Sequence, residues 1–151
     1  MNTDTGESHP HESLTRRVIG AAFEVSNTLG CGFLEKVYEN ALTSELRSHG
    51  LSVAQQVPIR VVYKAETVGE YVADVIVEGA VLVEAKATPQ DHPVYLAQTL
   101  NYLKATKLPV GLVLNFGQPR LSIRRVVLSH DHARQQPGID VITQEPKNEP
   151  A

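Results

Sequence analysis

Apolar and polar positions divide the chain into eight segments of changing period. Leu14, Val18, Ala21, Ala22, Val25 and Leu29 recur at helical spacing, Ser13 can act as an N-cap, and Gly30-Cys31-Gly32 ends the pattern. The spacing predicts an amphipathic helix of about four turns. A second helix is expected over residues 33–49, with Gly50 as its stop and Leu34, Val37, Tyr38, Ala41, Leu42 and Leu46 as its apolar face. Residues 53–63 then read as a strand that Pro58 should leave bulged or near an edge, and residues 64–69 as a turn. Two runs rich in Val and Ile, residues 71–77 and 80–87, flank Glu78-Gly79, a pair suited to a tight hairpin. A loop over residues 88–93 leads into a third helix with Pro93 in its first turn. That helix should run to about Thr106, with Leu96, Leu100 and Leu103 as its core stripe and Gln98 and Tyr102 on another flank. Two last strands, residues 110–116 and 121–128, are separated by Gly117-Gln118-Pro119. The order is ααβββαββ, an α/β fold built on a mixed sheet.

Both ends fall outside this pattern. Residues 1–11 are polar and aperiodic and read as a disordered tail; residues 129–151 read as a flexible extension in which only 139–142 could dock. The stretch between them, residues 12–128, suits one domain with one core. Composition is that of a soluble globular protein, 42% hydrophobic and 21% charged, with no apolar run near the roughly 18 residues of a membrane span. The start lacks the basic and apolar regions of a secretory signal, and the single cysteine, Cys31, cannot pair internally, so a reducing cytoplasm is expected. The net charge of −3 argues against a general basic coat, but residues 12–128 hold 12 Lys and Arg against 11 Asp and Glu. A phosphate-binding surface would therefore be local. Its candidates are Arg120, Arg124 and Arg125, with Lys104 and Lys107 as a second group, against the plainer reading of a solvated charged face.

The chemistry concentrates in the hairpin. Asp74 lies on the first strand among Val72 and Ile76, and Glu84 and Lys86 share a face of the second with Leu82. A lone carboxylate in such a place would lose hydration worth several kcal/mol, so it needs a partner, a proton or a metal ion. Glu35 falls inside the apolar face of the second helix, either as an N-terminal Glu favoured by the helix dipole or as a third metal-site carboxylate. A [DE]-x-K triplet alone decides nothing, since 17 acids and six lysines in 151 residues produce roughly 0.7 of them by chance. Its setting is informative: an apolar strand, an Asp on the pairing strand, an upstream helical Glu and a following Gln-x-x-x-Tyr helix. Cys31 as a nucleophile lacks an evident His partner, and the pairs His9/His11 and His130/His132 sit in the tails. Tyr63, Tyr71 and Tyr95 are too scattered for a base-stacking platform.

Together these features resemble the PD-(D/E)XK nuclease superfamily, and within it the small GxxExxY family. The residues that carry the resemblance are Gly32-Phe33-Leu34-Glu35-Lys36-Val37-Tyr38, Asp74, Glu84-Ala85-Lys86, Gln98-Thr99-Leu100-Asn101-Tyr102 and Val113-Leu114-Asn115-Phe116-Gly117, over residues 12–128. Ala73 stands where the superfamily often has Pro before the metal-binding Asp. The resemblance implies a restriction-endonuclease-like core and a metal-dependent nuclease. Asp74, Glu84 and Glu35 would hold Mg²⁺ or Mn²⁺, hard ions that prefer oxygen. Lys86 would orient or help deprotonate the attacking water and offset transition-state charge, and Gln98 would place that water. Tyr102 and Tyr38, with Arg124 and Arg125, are the candidates for substrate contact. The implied partner is nucleic acid, DNA first, with a homodimer or protein partner to help hold a duplex. The other class of function is a catalytically silent module of the same fold that binds nucleic acid or protein.

Overall fold

The computed structural model describes residues 11–128 and 138–142. The elements follow in the order α1 (Glu12–Leu29), α2 (Glu35–Ser48), β1 (Val53–Tyr63), β2 (Glu66–Val77), β3 (Val81–Lys86), α3 (Pro93–Thr106), β4 (Val110–Asn115), β5 (Ser122–Val127) and β6 (Gly138–Ile142). One six-stranded sheet carries them in the order β1-β2-β3-β4-β5-β6. Every neighbouring pair is antiparallel except β3 and β4, which run parallel with α3 as the crossover. This is the expected α/β order, extended by β6. That strand falls in the segment read as a flexible extension and covers the stretch singled out there as able to dock; residues 1–10 of the N-terminal tail lie outside the described residues.

Side-chain alternation splits the core into two layers. Val81, Val83, Ala85, Leu112 and Leu114 pack with Val18, Ala22, Tyr38, Leu42 and Leu46 under α1 and α2. Leu82 and Val126 pack with Tyr102 and Leu103 under α3. Each fully buried Leu contributes about 2 kcal/mol of transfer free energy, so the sheet is pinned on both faces and its register with it.

Local chemistry explains where the elements depart from expectation. Helix α1 starts at Glu12 rather than at a Ser13 cap: His11 occupies the N-cap in a left-handed conformation, with no side-chain capping bond. Helix α2 begins only at Glu35, which leaves Leu34 80% exposed and Val37 38% exposed; its buried face is Tyr38, Glu39, Leu42, Thr43 and Leu46. The turn after β1 is just Lys64-Ala65, both at positive φ (49° and 70°), a two-residue hairpin that lets β2 begin at Glu66. Beyond the core this ribbon carries exposed Val62, Tyr63, Val68 and Tyr71. Pro58 sits in β1, the edge strand, as its missing N–H requires, and the register shifts between Val61 and Val62.

The β1–β2 ribbon also changes layers partway along. Val75 and Val77 belong to the α1/α2 core, but Ala73 and Ile59 belong to the α3 core. Strict alternation would put Ala73 and Val75 on one face, so the strand rolls over at Asp74. At that point the pairing passes from Gln55↔Val75 to Val57↔Ala73 with no rung for Gln56 and Asp74, and Gln56 has φ 53°.

Candidate active site

The β2–β3 ladder pairs Val77↔Val81, Ile76↔Leu82 and Val75↔Val83, then stops. β3 continues alongside β4 as far as Lys86↔Asn115, so the two strands of the hairpin part at the rung of Asp74 and Glu84. Side chains take over from the ladder there. The Asp74 N–H donates to Glu84 Oε2 at 3.0 Å, and the Ala85 N–H donates to Asp74 Oδ2 at 2.9 Å. Each carboxylate thereby satisfies a backbone donor of the other's strand that the ladder no longer serves. Each also keeps one oxygen with no hydrogen bond among the described residues.

This pair is electrostatically costly. Burial is the main cause that pushes the Glu84 carboxyl up from 4.5 to about 8, with the Asp74 charge adding to it; the Asp74 N–H and Lys86 oppose the rise only in part. Asp74 is raised too, first by burial and then by the charges of Glu39 and Glu35, against the Ala85 N–H and Lys86. Near neutral pH the pair therefore retains a proton unless a cation replaces it.

Lys86 extends from the end of β3, and its Nζ donates to Gln98 Oε1 at 3.3 Å while lying 4.7 Å from the centroid of the Tyr95 ring. One turn further along α3, Tyr102 is buried against Tyr71, with centroids 5.7 Å apart. Burial raises its hydroxyl pKa, and the nearby Glu84 and Asp74 charges raise it further. Asp74, Glu84, Lys86, Gln98 and Tyr102 thus meet where β2 and β3 part beneath α3. Glu35, exposed at the start of α2, approaches from the other helical layer closely enough to act on both carboxylates.

Three expected substrate contacts have their side chains engaged within the fold. Tyr38 is fully buried, stacked on Phe116 at 4.8 Å, and its hydroxyl donates to the Gly30 carbonyl and accepts from the Phe33 N–H. A side chain so enclosed cannot reach a ligand, and its role is to anchor the loop that delivers Glu35. Arg124 is paired with Asp91 at 3.0 Å, and Arg125 is only 8% exposed in β5. Asp91 also accepts from Asn115, Gln118 and Ser122; burial alone would raise its carboxyl, but the Ser122 and Asn115 bonds and the Arg124 charge hold it below the usual range. Asp91 therefore fastens the β3–α3 loop to β5.

Sequence reasoning missed Glu39, and it took in Asn115 only as part of the Val113–Gly117 motif, with no role of its own. Glu39 is 3% exposed, four residues after Glu35 on the same helix; that spacing was its available signal. Asn115, fully buried at the end of β4, accepts from the Thr88 and Gly117 N–H groups and donates to Thr88 Oγ1 and Asp91 Oδ1. Gly117 lies so close to the exit of β3 that a Cβ there would stand 2.3 Å from the Thr88 nitrogen. The Asn-Phe-Gly end of β4 is thus the brace for the Lys86 end of β3.

The donor set fits a hard divalent cation. Among the described residues no three or more His, Cys, Asp and Glu side chains close into a metal cage. Two converging carboxylates with free oxygens, plus a third nearby, suit an ion that keeps several waters, as Mg²⁺ does.

A model of the PD-(D/E)XK nuclease superfamily matches residues 12–126. No curated protein matches the chain. A solved structure described as "Crystal structure of SSO0001" is similar in fold, with a TM-score of 0.50 and 18% identity over 82% of this chain; the chain spans 62% of that structure's length. No helix among the described residues is long and apolar enough to cross a membrane. The family match covers most of the sequence and takes in Glu35, Asp74, Glu84, Lys86 and Gln98: the chain belongs to the PD-(D/E)XK nuclease superfamily.

Proposed function

We propose that this domain is a divalent-metal-dependent nuclease of the GxxExxY branch, hydrolysing phosphodiester bonds in nucleic acid. The observation that carries the reading is the Asp74–Glu84 pair: two mutually anchored carboxylates with raised pKa values, set beside the Lys86–Gln98 hydrogen bond. A pair that costs stability without a cation is what a metal-loading site requires. Asp74 and Glu84 would hold Mg²⁺ or Mn²⁺, with Glu35 acting directly or through water. The bound ion would supply Lewis-acid activation of water and of the scissile phosphate. Lys86 neutralises charge that develops on the phosphoryl oxygens, and Gln98, hydrogen-bonded to it, orients the attacking water. Tyr102 packs beside them and keeps that wall of the site dry.

The test is cleavage of labelled single-stranded, duplex and branched DNA and RNA with Mg²⁺, Mn²⁺ or EDTA, beside Lys86→Ala. Cutting that needs the metal and disappears in the variant is expected. A folded, metal-binding protein that cuts nothing on the panel would transfer the assignment to a silent binding module.

A further inference from the structure

Glu39 is a buried carboxylate that the cleavage chemistry does not use. Its oxygens are fully engaged: Gln55 Nε2 donates to Oε2 at 2.8 Å, Gln56 Nε2 to both oxygens at 3.0 Å, and Lys36 Nζ to Oε1 at 3.0 Å. A carboxylate so occupied offers no lone pair to a cation, and its bonds are of the strong, charge-assisted kind. What they hold is Gln56, a non-glycine residue in the left-handed region (φ 53°), at the unpaired rung facing Asp74 where the β1–β2 ribbon rolls from one core layer to the other. Such a conformation persists only where its surroundings enforce it.

We infer that Glu39 is a positioning residue: by clamping Gln55 and Gln56 to α2 it fixes the ribbon's roll, and so aims the Asp74 carboxylate at Glu84 and at the metal. The inference rests on the metal-nuclease reading for its functional consequence, but its structural part can be tested without metal.

Two readouts separate the possibilities. Residue-resolved amide exchange on metal-free protein reports the Asp74 and Ala85 N–H groups, whose acceptors are the two site carboxylates. Mn²⁺ titration followed by electron paramagnetic resonance reports loading. Glu39→Ala is expected to speed exchange at Asp74 and Ala85 about tenfold, leaving β4–β5 amides unchanged, and to weaken Mn²⁺ binding about tenfold, the range for loss of a supporting contact. Adding Gln56→Gly should restore both to within about threefold, because glycine holds the left-handed conformation unaided. Charge loss alone could not be rescued in this way. In the otherwise native chain Gln56→Ala should reproduce the defect and Gln56→Gly should not, a comparison that survives if Glu39→Ala fails to fold. Native exchange at Asp74 and Ala85 in Glu39→Ala, or identical behaviour of the two Gln56 variants, would overturn the inference. Absence of Mn²⁺ binding by the native protein would instead overturn the metal-site reading and leave the exchange result to decide the clamp.

Discussion

Asp74 and Glu84 each accept a hydrogen bond from the backbone of the other's strand, so the two carboxylates replace the rung at which β2 and β3 separate. The arrangement fixes both side chains without satisfying their charge. It stores electrostatic stress that depends on pH.

The Glu84 carboxyl, pushed from 4.5 to about 8, makes the folded protein bind more protons than the unfolded chain within that window. Stability must then fall as pH rises from about 5 to 8, by up to roughly 5 kcal/mol if the whole shift is expressed. Asp91, held low, has the opposite sign, but its effect lies below its ordinary value of 3.8 and does not mask the slope. Chemical denaturation of metal-free protein should show this decline, and Glu84→Gln should flatten it. A native protein whose stability is level between pH 5 and 8 would contradict the stressed pair.

Divalent cations should relieve the stress, and more so at alkaline pH. Loading requires Glu84 to release its proton, so millimolar Mg²⁺ or Mn²⁺ should raise the melting temperature strongly at pH 8.5 and little at pH 5.5. At tenfold excess over the dissociation constant the gain is about 1.4 kcal/mol. Asp74→Ala should lose both the response and any cleavage while remaining folded. An unaltered response in that variant would remove Asp74 from the site.

Lys86 touches Gln98 and the face of Tyr95, and its charge moderates both carboxylates. Lys86→Met keeps the aliphatic stem and removes the cation. The expected result is loss of cleavage by at least about 100-fold, with Mn²⁺ binding retained, since the role assigned to Lys86 is stabilisation of developing charge. Lys86→Arg should not rescue, because a planar fork cannot occupy the place of a compact ammonium beside Gln98. Rates within a few-fold of native in Lys86→Met would assign Lys86 a structural role.

How far the sequence disclosed this site follows from its physics. Strand period and the Glu78-Gly79 turn placed Asp74, Glu84 and Lys86 together, and helix period put Gln98 and Tyr102 on one flank of α3. Local patterns of this kind survive folding because they are set by backbone geometry. The roll of the ribbon at Gln56 was illegible, since left-handed glutamine has no local signature and depends on Glu39 from another element. The same limit applied to Tyr38, Arg124 and Arg125, whose side chains are captured by the core, by Asp91 and by the buried face of β5.

Tyr38 offers a clean contrast with the site residues. Tyr38→Phe keeps the stack on Phe116 but removes the bonds to Gly30 and Phe33. The expected loss is about 1–2 kcal/mol of stability, seen in urea unfolding, with cleavage per folded molecule changed by no more than about threefold. A large fall in rate at native stability would show that the Tyr38 hydroxyl acts on the site through the loop that carries Glu35.

The last prediction concerns Asn115, which touches neither Asp74 nor Glu84. Its buried amide satisfies the Thr88 and Gly117 N–H groups, the Thr88 hydroxyl and Asp91, and so closes the loop that follows Lys86. Asn115→Ala would leave several buried polar groups without partners, at about 1–3 kcal/mol for each that water cannot reach. Because β3 and β4 still pair up to this residue, the loosening should concentrate in the β3–α3 loop and reach Lys86 through its backbone. The expected phenotype is destabilisation of about 3 kcal/mol, faster amide exchange at Thr88 and Gly117, and a lower cleavage rate with Mn²⁺ affinity nearly unchanged. That split distinguishes a brace for Lys86 from a brace for the carboxylates: a variant that loses metal affinity in step with rate would show that the end of β4 supports Asp74 and Glu84 as well.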